Sequence, residues 1–170
     1  MIRLFLLALC ALSLSGCGKT DLASTIVHAA SEDELASGRA ELAARFGNDA
    51  LASYDVAIQE LQLAGMDRGV AAAADRATAM RATVNGKTVR TVEILGWQAR
   101  RTRLQGEIKE FAAMLERDLA LREKTAATGT SQTVIHRIEN EQDILAKLRR
   151  LLDEADAKIR GWQAAPGPQP

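Results

Sequence analysis

The stretch VRTVEILGWQARRTRLQGEIKEFAAMLERDLALREK spans residues 89–124, and its periodicity decides the fold. Its stripe is marked at steps of three and four by Leu104, Ile108, Phe111, Leu115, Leu119 and Arg122, which lie on one face of an α-helix. A second stretch, 133–162, repeats its stripe about every 3.5 residues, as coiled coils do. That stripe comprises Ile138, Leu145, Leu148, Leu152, Ala155 and Ile159. The segment TAATGTSQ, which links the two stretches, has the composition of a turn. We therefore predict a long antiparallel helical hairpin over 85–162.

Charged residues test this pairing, because opposed residues should have numbers that sum to about 256. The predicted partners have opposite signs: Arg100, Arg101 and Arg103 with Asp153, Glu154 and Asp156; Lys147, Arg149 and Arg150 with Glu107 and Glu110; Glu116 with Arg137; and Glu139 with Arg117. Exposed pairs contribute only about 0.2–1 kcal/mol each, so they set the register more than the stability. In the same register Trp97 and Trp162 meet at the end away from the turn. Packing is favoured over a partner-binding role for these two indoles.

Residues 31–84 predict three short helices on this hairpin, and hence an all-α fold. Ser31 and Glu34 form a capping box, and Gly47 is a suitable stop for the first helix. Asn48 is the expected cap of the second helix, which Gly65 would end. An alanine-rich third helix follows over about 67–83.

The segment Val84-Asn85-Gly86-Lys87-Thr88 allows two interpretations. Asn-Gly between β-formers is a β-hairpin signal, but the residues after it do not alternate cleanly between apolar and polar. We therefore favour a helix stop at Asn85-Gly86, with Thr88 capping the next helix.

The N-terminus has the layout of a secretory signal: Arg3, an apolar run from Leu4 to Leu14, and two small residues before Cys17. The run is shorter than the roughly 20 residues of a transmembrane helix. A secretory signal without lipid attachment is a closer alternative than a transmembrane helix. The ending Leu14-Ser15-Gly16-Cys17 resembles the lipobox of bacterial lipoproteins. We accordingly divide the chain into a signal peptide (1–16), a lipidated tether (17–30), short helices (31–84), the hairpin (85–162) and a disordered tail (163–170).

The resemblance implies cleavage between Gly16 and Cys17 and acylation of Cys17. Gly18 stands where an aspartate would retain such a lipoprotein in the inner membrane. The implied location is therefore the outer membrane, on its periplasmic face. Ser31-Glu32-Asp33-Glu34 and Asn85-Gly86-Lys87-Thr88 also resemble small helical envelope lipoproteins of uncharacterised function. That family implies no activity, and the extra fifth helix departs from its simple version.

Few residues have the type and spacing that a catalytic, metal or nucleotide site requires. Cys10 would leave with the signal and Cys17 would carry lipid, so the mature chain would hold no thiol. His28 and His136 are isolated, whereas a zinc site needs three or four ligands. Both Gly-Lys-Thr sequences lack the glycine that a P-loop has five positions before its Gly-Lys-Thr ending. Removal of Arg3 would leave 21 basic against 22 acidic side chains, which gives no general attraction to nucleic acid.

We therefore expect no enzyme activity, no metal and no cofactor. The expected function is a structural or protein-binding role at the envelope, with an envelope protein as partner. The alternative is a periplasmic inhibitor or immunity protein against a toxin or an envelope enzyme.

Overall fold

A computed structural model of the chain describes residues 21–164, and that part is all-α. Within residues 21–164, a single 3-10 turn, Leu22–Ser24, precedes five helices. Their bounds are Glu32–Phe46 (α1), Asn48–Asp67 (α2), Ala73–Val84 (α3), Val89–Thr125 (α4) and Gln132–Ala164 (α5). The short helices pack on an antiparallel hairpin of α4 and α5, as predicted. The lipobox residues and residues 165–170 lie outside the described residues, and residues 163 and 164, predicted to begin the disordered tail, belong to α5 instead.

Two ion pairs confirm the predicted hairpin register. Arg101 lies 3.2 Å from Asp156, and Arg137 lies 2.8 Å from Asp118 near the turn. Asp118, rather than the expected Glu116, is therefore the partner of Arg137. The buried positions of α5 alternate in steps of four and three along most of the helix, as a coiled-coil seam requires. These are Val134, Ile138, Glu141, Leu145, Leu148, Ala155 and Ile159.

The expected partners of Arg100 and Arg103 on α5 were wrong. Both guanidinium groups turn to Glu60 of α2, at 3.4 Å for Arg100 and 2.6 Å for Arg103. Arg103 also lies 2.6 Å from Glu107, which was expected to face the basic residues of α5 instead. The reason is burial, because α2 covers this face of α4 and the Glu60 side chain is only 5% exposed. The Coulomb attraction within a desolvated pair is stronger than that within the solvated pairs that the register alone suggested.

The predicted boundaries of the first helix are confirmed. The Ser31 hydroxyl accepts a hydrogen bond from the Glu34 N–H at 3.1 Å, and the Glu34 carboxylate accepts one from the Ala30 N–H at 3.0 Å. Gly47 ends α1 with a φ of 86°, which favours glycine.

The boundaries predicted for the second helix were wrong. Gly47 itself precedes α2, and Asn48 is inside the helix, where its side-chain oxygen accepts a hydrogen bond from Arg39 at 3.0 Å. Gly65 does not end α2, which continues to Asp67.

The segment before α1 differs from the expected tether, because its described part is held in place. Val27 and Ala29 are buried, and residues 25–29 lie along the turn between α3 and α4. The Val27 N–H donates to the Lys87 carbonyl at 2.8 Å, and the Ala29 N–H donates to the Asn85 side chain at 2.9 Å. Thr88 caps α4, as the helix-stop-helix interpretation predicted.

Two apolar clusters form the core of the described part of the chain. The first joins the N-terminal segment to α1, α2, α3 and the start of α4, around Leu51, Tyr54 and Met80. The second joins α2 to the hairpin through Ala57, Trp97, Leu104 and Leu148, with other residues. Helix α2 runs parallel to α4, since Ser53, Ala57 and Glu60 meet successively later residues of α4.

Candidate functional site

The two tryptophans predicted to meet both lie near one carboxyl group, that of Glu93. Trp97 comes from α4 one turn after Glu93 and is only 3% exposed. Trp162 comes from the end of α5 and is half-buried, and its indole acts on the pKa of Glu93. We call Ser53, Glu93, Trp97, Lys158 and Trp162 the Glu93 cluster.

Hydrogen bonds tie this cluster across helices. Glu93 is fully buried, and its Oε2 accepts hydrogen bonds from the Ser53 hydroxyl at 2.8 Å and from the Trp97 indole N–H at 2.9 Å. The same indole N–H also lies 2.9 Å from Ser53 Oγ. Glu93 Oε1 is buried and has no hydrogen-bond partner. Oε2 of Glu93 therefore accepts two hydrogen bonds, whereas Oε1 accepts none.

Burial raises the pKa of Glu93, since desolvation disfavours the charged form. The hydrogen bonds from Ser53 and Trp97, the positive charge of Lys158 and the nearby Trp162 indole each lower the pKa and oppose this shift in part. Burial also raises the pKa of Tyr54 on α2 to about 12, helped by the charges of Asp55 and Glu93. Tyr54 is consequently neutral across the physiological range.

Two cations lie against the Trp97 ring. The Arg100 guanidinium carbon is 5.2 Å from a ring centroid, and Lys158 Nζ is 5.8 Å from one. Both separations fall within the range of cation–π attraction. The indole is thus enclosed by its own chain and offers almost no surface to a partner. Trp162 borders a shallow groove between the start of α2 and the end of α5, beside Lys158 and Gly161.

The distal part of the hairpin is a second feature with functional potential. Glu60 already faces Arg103, and α2 ends seven residues later at Asp67. Roughly the last 15 residues of α4, about 22 Å of helix, therefore extend past α2 and pack against α5. We call residues 111–145 the arm. Its seam includes Glu141, which is 9% exposed and whose Oε2 has no hydrogen-bond partner.

A third feature is a partly enclosed cavity between α1, α2 and the N-terminal segment. Ile26, Leu35, Leu42 and Tyr54 contribute to its lining. Arg39 also borders it, but its guanidinium group is paired with Asp55 at 2.7 Å.

Within residues 21–164, no three potential metal ligands lie close enough together to share an ion. His28 lines the cavity, and His136 lies 3.3 Å from Glu139 on the surface of α5. No helix in the same range has the length and apolar character to cross a membrane.

Sequence reasoning missed Glu93, although a signal is present. Glu93 is the single charge in TVEILGW (91–97), and it stands four residues before Trp97 on the same helix face. An acidic residue inside an otherwise apolar stripe indicates a buried carboxyl group.

The chain matches no protein-family model, no curated protein and no solved structure.

Proposed function

We propose that this protein is a non-catalytic, lipid-anchored component of the bacterial cell envelope. In this proposal Cys17 carries the lipid, the outer membrane is the anchoring surface, and the arm acts in the periplasm as a structural or protein-binding element. The proposal combines the lipobox resemblance with the position of the described N-terminal residues relative to the arm.

The observation that carries the proposal is where the chain enters the fold. Residues 25–29 bond to the turn that immediately precedes α4, and the Val89 N–H donates to the Thr25 carbonyl at 2.9 Å. The entry point is therefore at the start of α4, whereas the hairpin turn follows Thr125 at its other end. These ends are separated by 37 residues of helix, or about 55 Å. A lipid held at the entry point leaves the turn free to extend away from the membrane.

Metabolic labelling with an alkyne fatty acid tests the anchor. We expect Cys17→Ser to abolish labelling and to release the protein from membranes. Cys10→Ser is the matched control, because that residue lies within the proposed signal peptide and should leave labelling intact. Persistent labelling of Cys17→Ser would rule out the proposed anchor.

Photocrosslinking in intact cells tests the role of the arm. Leu121 on the arm and Ile26 at the entry point are both exposed apolar side chains, at 39% and 45%. A photoreactive residue at position 121 should capture one discrete protein, and the same residue at position 26 should not. Capture at position 26 alone, or at neither position, would contradict a binding role for the arm.

A further inference from the structure

The surface of the hairpin on which α2 packs continues along the arm. Helix α2 lies chiefly on α4, and its Ala57 shares one core cluster with Trp97 and Leu104 of α4 and with Leu148 and Ala155 of α5. Helix α2 ends well before the hairpin turn, whereas α4 and α5 run on together to that turn. The arm therefore presents the same two-helix surface, with no third helix from the described part of the chain on it.

On α4, the face that meets α2 can be followed into the arm by its spacing. Residues seven positions apart share a face where two helices pack as a coiled coil. Arg100 contacts Glu60 of α2, and Glu107, Met114 and Leu121 follow Arg100 at steps of seven. Met114 is half-buried and Leu121 is exposed. The face that α2 covers near the start of α4 thus becomes an uncovered apolar face on the arm.

On α5, the same spacing leads to a buried carboxyl group. Ala155, Leu148 and Glu141 are separated by seven residues each, and the first two belong to the cluster that includes α2. Glu141 is only 9% exposed, and its buried Oε2 has no hydrogen-bond partner. Arg137, one turn earlier on α5, is engaged by Asp118 at 2.8 Å. Oε2 of Glu141 therefore lacks a donor within the described part of the chain.

We propose that this surface binds an amphipathic helix of a partner protein, which lies in the direction of α2 and carries a lysine or arginine opposite Glu141. We call the surface the arm groove and define it by Met114 and Leu121 of α4 and Glu141 of α5. The inference rests on the binding role proposed for the arm, and it adds the surface and the chemistry of the partner.

Continuity with the α2 interface favours a helix as the occupant. The arm groove is about 22 Å long, which accommodates about 15 residues or four helical turns. The apolar stripe of such a helix would cover Met114 and Leu121, as in other complexes where a helix binds in a groove.

The charge of Glu141 favours a cation within that stripe. Buried charges in proteins are normally paired, because an unpaired one is costly to desolvate. The part of the surface that α2 covers follows this rule, since the buried Glu60 is paired with Arg100 and Arg103. A lysine or arginine from the partner would supply the donor that Oε2 of Glu141 lacks.

Photocrosslinking in intact cells, with benzoylphenylalanine at position 114, tests the arm groove. Position 112 is the matched control, because Ala112 is exposed at the same height of the arm and lies about 160° around the helix from Met114. The captured segment is identified by mass spectrometry. We expect capture at position 114, and little at 112, of one amphipathic helical segment with a lysine or arginine in its apolar stripe.

A charge exchange tests the role of Glu141. Glu141→Lys should reduce capture at position 114 by about tenfold or more, because it places two cations together. Replacing the partner's cation with glutamate should then restore capture, which a misfolded arm would not allow.

The outcomes separate this inference from the function on which it rests. Equal capture at 112 and 114, or capture that Glu141→Lys leaves unchanged, would overturn the arm groove but not the binding role of the arm. Capture of a second copy of this chain, or of a segment without a cation in its stripe, would overturn it as well. No capture at 112, 114 or 121 would contradict both proposals.

Discussion

Gly96 lies where α4 approaches α2 most closely, and its replacement by alanine tests how the two helices are joined. A Cβ atom at position 96 would lie 2.4 Å from both Cα and Cβ of Ala57 and 2.5 Å from its carbonyl oxygen. An ordinary contact needs roughly 3.5 Å, so α2 would have to retreat by about 1 Å. Backbone atoms cannot turn aside as the end of a flexible side chain can, and Ala57 is fully buried.

The net effect of Gly96→Ala has two opposing parts. Removing a glycine from a helix interior stabilises by about 1 kcal/mol, whereas overpacking costs about 1–3 kcal/mol and more where backbone must shift. We expect a net loss of about 2 kcal/mol in the free energy of unfolding. For a chain of this size that corresponds to a Tm lower by roughly 4–8 °C.

Urea unfolding followed by circular dichroism measures this loss. Gly106→Ala is the matched control, because it lies on the same helix and its Cβ would meet no atom within 4 Å. That variant should gain about 0.5–1 kcal/mol from helix propensity. If Gly96→Ala proves as stable as Gly106→Ala, the close approach of α2 to α4 is not part of the fold.

Three further substitutions test the other contacts that join the helices. Glu60→Ala removes the buried partner of Arg100 and Arg103, although Arg103 keeps its ion pair with Glu107, and should cost about 2 kcal/mol in urea unfolding. A loss below 1 kcal/mol would show that the pair is not buried in solution. Asn85→Ala removes the acceptor for the buried Ala29 N–H, so hydrogen exchange of residues 25–29 should accelerate, reflecting a cost of about 1–3 kcal/mol. Unchanged exchange would contradict that hydrogen bond. Glu93→Gln should raise the Tm at pH 8 but not at pH 4, because the raised pKa makes ionisation destabilising only at the higher pH. An equal change at both pH values would exclude this linkage.

Local patterns predicted the elements of the fold well. The periodicity of residues 89–124 and 133–162 predicted two long helices, and their observed ends lie within two residues of those bounds. The Ser31 cap and the Gly47 stop were also correct, because such signals act over a few residues. The expectation that Asn48 caps α2 was wrong, because Gly47 precedes the helix and Asn48 is its first residue, where its side chain accepts a hydrogen bond from Arg39.

Local patterns predicted only part of the Glu93 cluster. The hairpin register predicted that Trp97 and Trp162 meet, since it needs only the position of the turn. The register did not predict that Glu93 is buried and bonded to Ser53, because Ser53 belongs to α2, a third helix outside the hairpin. The partner of Arg103 was missed for the same reason.

The sequence by itself determined the two long helices, the turn between α4 and α5, and the register of the hairpin, whereas the expected start of the third helix near residue 67 was wrong, since α3 begins at Ala73. Each of these follows from periodicity, capping and charge along one or two segments. Only the tertiary structure decided that residues 25–29 pack in the core, that α2 covers Arg103, and that one oxygen of Glu93 is buried without a partner. The physical reason is that burial depends on which surfaces meet, and a third element can remove solvent from a group whose local sequence is unchanged.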